Sequence, residues 1–583
     1  MLARAGLYFR TARHIPLAQL LYFIARRWWP RATADRGRPL QTQLSLPTPV
    51  QLRCAFAPPE SCIVNDRFCF LARTSPFTIT DIDWSSAGLP KLWRYHLHYF
   101  DWLRQPGLDA AWLGASVSHW IDHNPVGRGE GWEPYTVSLR LVNWIRFLNA
   151  RLMAGESIEP RWLQSLEQQG QWLNCNLEHH IRANHLLKNL VAMVWFCVFM
   201  RRQPEYQNWL SRYCDLLQAE LIEQFNADGG HYERSPMYHA IALEDCIGLY
   251  DLLQAADVRH AVRDRLRSLI PHTIAYLRAL SFADGRIALF GDSTLHGALD
   301  WHSLHIGWQL LHSTRSWLEE DLAAEDFPAI SRLIHLPWSR FAVYATPHYR
   351  IVISTGGVSP DYQPGHTHCD MGSFEIATPQ GRMITDSGVS EYASGPMRRY
   401  VRSSRAHNVV MVDDGEQHEL WGEFRVGARG QMDELRVGAM ADSSPEAVEV
   451  QVRMLSHAAS PRAWRNIRTF RLRDDSIEIQ DLILVENATS DVAKVESSLH
   501  LHPDVQASIQ PQGFQLNLGD NTAVRVLVAN AESVQLEPAW YCPDFGVALP
   551  ASRISLRCSC AGSTSLDLRL EFGGREQAAT EIS

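Results

Sequence analysis

From about Leu92 to about Leu322 apolar residues recur at helical spacing in block after block. Examples are Leu139, Val142, Trp144, Ile145 and Leu148, then Leu186, Leu190, Met193, Val194 and Cys197. Short breaks at Asn124-Pro125, Gly155, Asp228-Gly229-Gly230 and Ala283-Asp284-Gly285 separate the blocks. The pattern predicts an array of many helices with no fixed-period repeat. After about Ser339 the texture changes to short β-prone runs bounded by turns: Tyr349–Ser354, Ser373–Ala377, Asn408–Val412 and Thr469–Arg473. Helices first and strands afterwards imply two segregated domains, the second built of packed antiparallel sheets. We place a leader at residues 1–82, the helical domain at 83–335 and the β domain at 336–583.

With 583 residues, the chain exceeds what one core usually organises, which agrees with two large domains. Its 46% hydrophobic and 20% charged residues exclude a disordered or disulfide-stapled chain. A net charge of -9 argues against a nucleic-acid binder, which needs a broad basic surface. It leaves room for a local cationic cleft, for which Arg94, Arg128, Arg140, Arg182 and Lys188 are candidates. Eleven scattered cysteines form no CxxC pair, and most of them read as buried thiols, slightly favouring a reducing compartment. Near the start, Arg4, Arg10 and Arg13 precede an apolar run, Ile15 to Ala25, followed by Arg26 and Arg27 without a small-residue cleavage site. A cytoplasmic or membrane-peripheral location is expected, with a periplasmic one as the alternative. The amphipathic segment either packs on its own protein or lies on a membrane surface. No stretch has the ~20 apolar residues of a transmembrane helix.

Three clusters carry candidate chemistry. The densest is Gly365-His366-Thr367-His368-Cys369-Asp370, followed by Asp386-Ser387-Gly388 and Arg405-Ala406-His407-Asn408. On a strand His366 and His368 share a face, and two imidazoles with a carboxylate suit zinc, although histidines satisfied by a sheet edge would look the same. The second is His179 through Asn189, where Asn184 and Lys188 share a helix face. Asn is a poor helix-interior residue, so Asn184 reads either as a hydrogen-bonding group on a cleft or as a buried structural amide. The third is Asp228 through His239, a Gly-Gly turn leading to Arg234, Tyr238 and His239. Cations near Tyr238 would lower its phenol from the usual ~10.

At these residues the chain resembles the heparinase II/III-like polysaccharide lyases, alginate and oligoalginate lyases included. The likeness is carried by Asn184-His185, Gly230-His231-Tyr232-Glu233 through Tyr238, Gly365-His366-Thr367-His368, Asp386-Ser387-Gly388, Arg398-Arg399-Tyr400 and Arg405-Ala406-His407-Asn408, within about Tyr95 to Gly427. It implies an incomplete (α/α) toroid followed by an antiparallel β-sandwich, with the substrate cleft between them. By the same resemblance Asn184, His185 and His366 would surround a uronate carboxylate, Tyr238 would move the proton and Tyr392 would be a second tyrosine. His368, Asp386 and His407 would hold one structural zinc ion. Two departures stand out: Lys188 occupies a place where some relatives carry an acid, and the segment before Asp83 differs from secreted members.

The implied reaction is β-elimination on an acidic polysaccharide or oligosaccharide, linked to bacterial capsule or exopolysaccharide metabolism. Donors neutralise the uronate carboxylate and a base then removes the C5 proton. Arg182, Lys188, Arg234 and His239 are expected as further substrate contacts, with Trp132, Tyr135, Trp93 and Tyr99 as stacking surfaces for sugar rings. Two alternatives remain open at this point. One is a glycoside hydrolase using Glu130 with Glu133 or Asp284 with Asp292; the other is a polysaccharide-binding or assembly factor that leaves the polymer intact.

Overall fold

The helical blocks fold where the sequence supplies starts. A computed structural model describes residues 2–28, 44–58, 60–312, 326–440, 447–486, 492–519 and 522–572. Helices α1 (Leu2–Ala12) and α2 (Leu17–Trp28) come first. The helical body follows: α3 (Lys91–Tyr99), α4 (Ala110–His123), α5 (Pro134–Met153), α6 (Pro160–Cys175), α7 (Ala183–Phe199), α8 (Pro204–Gln224), α9 (Pro236–Ala255), α10 (Ala261–Ala279) and α11 (Trp301–Leu311). Asp109, Ser235 and Asp300 cap α4, α9 and α11 through their side chains, and proline opens α5, α6, α8 and α9, where a missing N–H costs nothing. Helix α7 is apolar on nearly every face. It is accordingly buried along its length, with α5, α8 and α9 packed around it.

The expected boundary at residue 83 falls inside this body rather than at its edge. Residues Ile63–Thr74 form a small three-stranded antiparallel sheet, and Phe68 and Phe70 from it pack on Trp102 and Trp93 in the helical core. Aromatic side chains of this size contribute most where they interlock, so the segment belongs to the same hydrophobic cluster as the helices.

The β domain is a sandwich of two antiparallel sheets. One runs Gln431–Ala439, Val448–Leu455, Trp464–Leu472, Ser476–Val485, Ser563–Glu571, Thr522–Ala529, Gly513–Leu518 and Val505–Gln510 in spatial order. Val448–Leu455 alternates strictly between buried and half-exposed positions, as expected of a sheet with one face in solvent. The other sheet includes Ala493–Leu501, Gly381–Ile384, Phe374–Thr378, Arg350–Ser354 and Phe341–Ala345. Its strands Phe341–Ala345, Arg350–Ser354 and Phe374–Thr378 are buried on both faces. One face meets the opposite sheet through Ile351, Phe374, Phe470 and Ile479. The other carries Phe341, Val343 and Val352 against Tyr276, Leu280 and Phe290 of the helical body. These continuous apolar runs are therefore the dock between domains.

Candidate active site

The dock leaves a cleft of about 860 Å³ between the domains, continuous with an inner recess of about 240 Å³ through shared walls at Tyr99, Tyr135, Tyr238 and Tyr392. Tyr238 stands in the first turn of α9, whose N-cap Ser235 accepts its backbone N–H and donates to the Asp292 carbonyl at 2.7 Å. Its hydroxyl lies 3.1 Å from that of Tyr392, which precedes α12 (Pro396–Arg402) in the β domain. The Tyr238 ring stacks on His366 with centroids 3.8 Å apart.

Asp292 organises the histidines. It accepts from His366 Nδ1 at 2.9 Å and from His368 Nε2 at 2.9 Å, one oxygen to each, and Arg398 clamps both oxygens from the other side. Burial opposes its charge, but Arg398, His366 and His368 hold it well below the usual carboxylate range. The two histidines lie in the loop between Arg350–Ser354 and Phe374–Thr378, not on a strand; their convergence comes from Asp292 rather than from the pleat.

The opposite wall is the start of α7. Arg182 and Ala183 both have positive φ, 64° and 49°, a strained entry that sets Asn184 and His185 at the cleft. Asn184 donates to both oxygens of buried Glu233 at 3.0 Å and approaches His366 Nε2 at 3.4 Å, while its own buried Oδ1 has no partner. His185 donates Nδ1 to Glu178 at 3.2 Å and packs on the Tyr135 ring. Burial lowers its affinity for a proton, but Glu178 outweighs that and raises it, and Glu178 is itself lowered by His185 despite burial.

Tyr238 departs from expectation in its acidity. Burial first, and then the neighbouring Tyr392 and Tyr135, raise it well above the usual phenol range. Arg234 turns away to the Gly357 carbonyl at 3.0 Å, and His239 is buried between the Thr273 carbonyl and the His231 N–H. Neither lines the cleft or its inner recess, and nor does Trp132, which is buried against Trp120 and Trp172. Arg182 is taken by Glu223 at 2.6 Å beside the Tyr362 ring, and Lys188 by Asp245 at 2.5 Å in the inner recess. Arg140 is core, and Arg94 pairs with Glu130. Tyr99, Tyr135 and the largely buried Trp93 do line the cleft. The hydrolase pairs dissolve as well: Asp284 binds Arg382 while Asp292 binds Arg398, and Glu133 is engaged by Tyr95 and Lys91.

The three residues expected at zinc are all buried and near one another. His407 donates Nδ1 to Asp386 at 2.7 Å, and the His368 and His407 rings are 5.4 Å apart. His368 Nδ1 and His407 Nε2 have no hydrogen-bond partner. A buried imidazole nitrogen without a partner is costly, and each of these rings is oriented by a carboxylate on its far nitrogen, as metal-bound histidines usually are. The donor set thus fits a metal at two atoms. Asp386 sits behind His407, and among the described residues no three His, Cys, Asp or Glu side chains converge as a closed centre.

Comparison with known proteins agrees with this architecture. The heparinase II/III N-terminus model matches residues 67–317 and the heparinase II/III-like C-terminal model residues 331–579. The chain belongs to the heparinase II/III-like family. A heparin-sulfate lyase of Pedobacter heparinus is 23% identical over 325 residues, 51% of this chain and 47% of that protein. One of Bacteroides stercoris is 21% identical over 245 residues, 40% of this chain and 36% of its own. The matched part thus spans about half or less of each curated relative. Among solved structures, a heparinase III has a TM-score of 0.67 at 14% identity, covering 95% of this chain and 89% of that one. A heparan sulfate lyase from Pedobacter heparinus has a TM-score of 0.59 at 15% identity, covering 96% and 88%. The shared fold is a helical toroid followed by an antiparallel β-sandwich.

Proposed function

We propose that the protein cleaves a uronate-containing polysaccharide by β-elimination. The observation that carries this reading is the pair of hydroxyls, Tyr238 and Tyr392, 3.1 Å apart and contributed by different domains, with His366 stacked on one of them. A uronate C5 proton becomes removable once its carboxylate is neutralised, and His185, whose proton affinity Glu178 raises against burial, supplies a donor on the cleft wall for that. With both phenols protonated at rest, one delivers a proton to the departing O4. The C5 proton goes to His366 Nε2, whose ring Asp292 holds in place through Nδ1. The names of the relatives, heparin-sulfate lyases, support an acidic polysaccharide as substrate, and we place a bacterial capsule or exopolysaccharide in the same class.

Incubation with alginate, heparan sulfate, hyaluronan and glucuronan, followed by ultraviolet absorbance of new C4–C5 double bonds, tests this. Absorbance with one polymer, abolished in both Tyr238→Phe and His366→Gln, is expected. Activity retained in His366→Gln would give both proton transfers to the tyrosines, and new reducing ends without absorbance would mean hydrolysis.

We further propose that one zinc ion is held by His368 and His407 with Asp386 supporting it; bound there, zinc would fix the loops that carry His366 and Tyr392. Metal analysis is expected to find one ion per chain, lost in His368→Ala with a lowered melting temperature. Metal-free wild type would leave the two histidines as structural groups.

A further inference from the structure

Helices α1 and α2 each have one face on the protein and one off it. On α1, Arg10 pairs with Glu419, Tyr8 meets the edge of Trp421 at 5.4 Å, and Thr11 accepts the Trp421 indole N–H at 3.0 Å. On α2, Gln19 donates to the His180 carbonyl at 3.2 Å and Tyr22 stacks on His179 at 5.0 Å. The hairpin is thus fastened to the β-sandwich by its first helix and to the toroid by its second.

The outward faces are apolar. Leu17, Leu21 and Ile24 follow the i, i+4, i+7 rule of a single helix face and are 71%, 56% and 45% exposed. Phe23 is 55% exposed and, on α1, Phe9 is 70% exposed. Isolated exposed apolar side chains are ordinary, but five large ones within sixteen residues form a patch that needs a partner. The hairpin's own charge is of one sign. Residues 1–34 contain six arginines and no acidic residue, in a chain whose net charge is -9. Arg4 and Arg13 are exposed and have no ion pair among the described residues.

We propose that the α1–α2 face docks on an anionic lipid surface, with Phe9, Leu17, Leu21, Phe23 and Ile24 entering the headgroup boundary and Arg4 and Arg13 meeting lipid phosphates. A large apolar stripe edged by arginines is the composition of helices that lie in the interface plane. No described helix is long and apolar enough to cross a membrane, so the contact is peripheral. A second copy of the chain fits less well. A two-fold interface would bring the same arginine-edged patch against itself, with no carboxylate in the hairpin to offset the repulsion. The packing also decides orientation. Gln19 bonds to His180, within a few residues of Ile181, Asn184 and His185 on the cleft wall, so docking would fix the cleft relative to the lipid plane.

The test is co-sedimentation of the full chain with phosphatidylcholine vesicles, with and without phosphatidylglycerol. Binding to the anionic vesicles at least about tenfold tighter than to neutral ones, and weakened by salt, is expected. The double variant Leu17→Ser/Leu21→Ser should lose sedimentation, and Arg4→Glu/Arg13→Glu should bring binding down to the neutral-vesicle level. Both should keep the wild-type melting temperature, since these side chains face away from the protein. Wild type that stays in the supernatant, or variants that sediment as it does, would overturn the proposal. So would a wild-type dimer that Leu17→Ser/Leu21→Ser converts to monomer, because the face would then be a self-association surface.

Discussion

His185 and Glu178 are one pair of residues whose coupling predicts a pH dependence. The His185 imidazole is raised by Glu178, with Glu233 and Glu133 adding to the effect, against burial and beside the uncharged Tyr135 ring. Its cationic form is therefore the resting one below its raised pKa, and the contribution fades as pH rises through that value. Glu178 is lowered, so its share of the pair is present above the ordinary carboxylate value of ~4.3 and is lost as pH falls through its lowered one. Substrate binding should accordingly weaken on the alkaline side, with KM rising about tenfold or more. A hydrogen bond to a charged group contributes ~1.5–3 kcal/mol. Glu178→Gln should move that limb to lower pH, because burial then acts on His185 without its main opponent, and His185→Gln should flatten it. An unchanged KM profile in both variants would remove His185 from carboxylate recognition. At this scale the short motifs Asn184-His185 and His366-Thr367-His368 were legible in the sequence, but their partners were not: Asn184 bonds Glu233, 49 positions away. Asp292 was not legible as their organiser. Its partners His366 and Arg398 lie 74 and 106 positions away, and only a carboxylate closing the apolar run Ile287–Phe290 hinted at a buried role.

Elements explain why the β domain holds its loops still. Arg468, on strand Trp464–Leu472, donates to both oxygens of Asp481 at 2.7 Å on the neighbouring strand. It also donates to the carbonyls of Gly372 at 2.8 Å and Asn408 at 2.6 Å. Those two carbonyls belong to the segments leading from His368 and from His407, so one buried guanidinium links a sheet to both histidine loops. Removing one partner of a buried ion pair leaves an uncompensated charge, at a cost of ~3–5 kcal/mol. Arg468→Ala should lower stability by about that much in denaturant titration, whereas Arg468→Met with Asp481→Leu should recover most of it. A double variant no better than the single one would mean that the two carbonyls, rather than Asp481, dominate. The strands themselves were readable as short β-prone runs bounded by turns, and Tyr349–Ser354 and Ser373–Ala377 differ from the observed ones by one residue at their ends. What periodicity could not show is that both are buried on two faces, since that depends on which helices the sheet meets.

At the scale of the whole molecule, the groups proposed to react come from two domains, and their spacing is only as well defined as the dock. Tyr238 belongs to the toroid, whereas His366 and Tyr392 belong to the sandwich. The Asp228-Gly229-Gly230 turn is one fastening. The Asp228 carboxylate accepts the N–H groups of Trp338 at 3.0 Å and Ser339 at 2.8 Å, and the Ser339 hydroxyl at 2.7 Å, pinning the start of the β domain to the toroid. The approach is close enough that a Cβ on Gly230 would stand 2.1 Å from Ser339 Oγ and 2.5 Å from the Tyr276 ring. Asp228→Ala leaves a buried backbone N–H unpaired, which costs ~1–3 kcal/mol, while the cores of both domains stay intact. A displacement of about 1 Å between reacting groups lowers the rate about 100-fold, so kcat should fall far more than the loss of stability suggests. The far-ultraviolet dichroism should be unchanged, and calorimetry should resolve two transitions where wild type shows one. A variant with wild-type kcat and a single transition would show that the apolar dock around Phe341 and Tyr276 sets the spacing of Tyr238 and Tyr392 unaided.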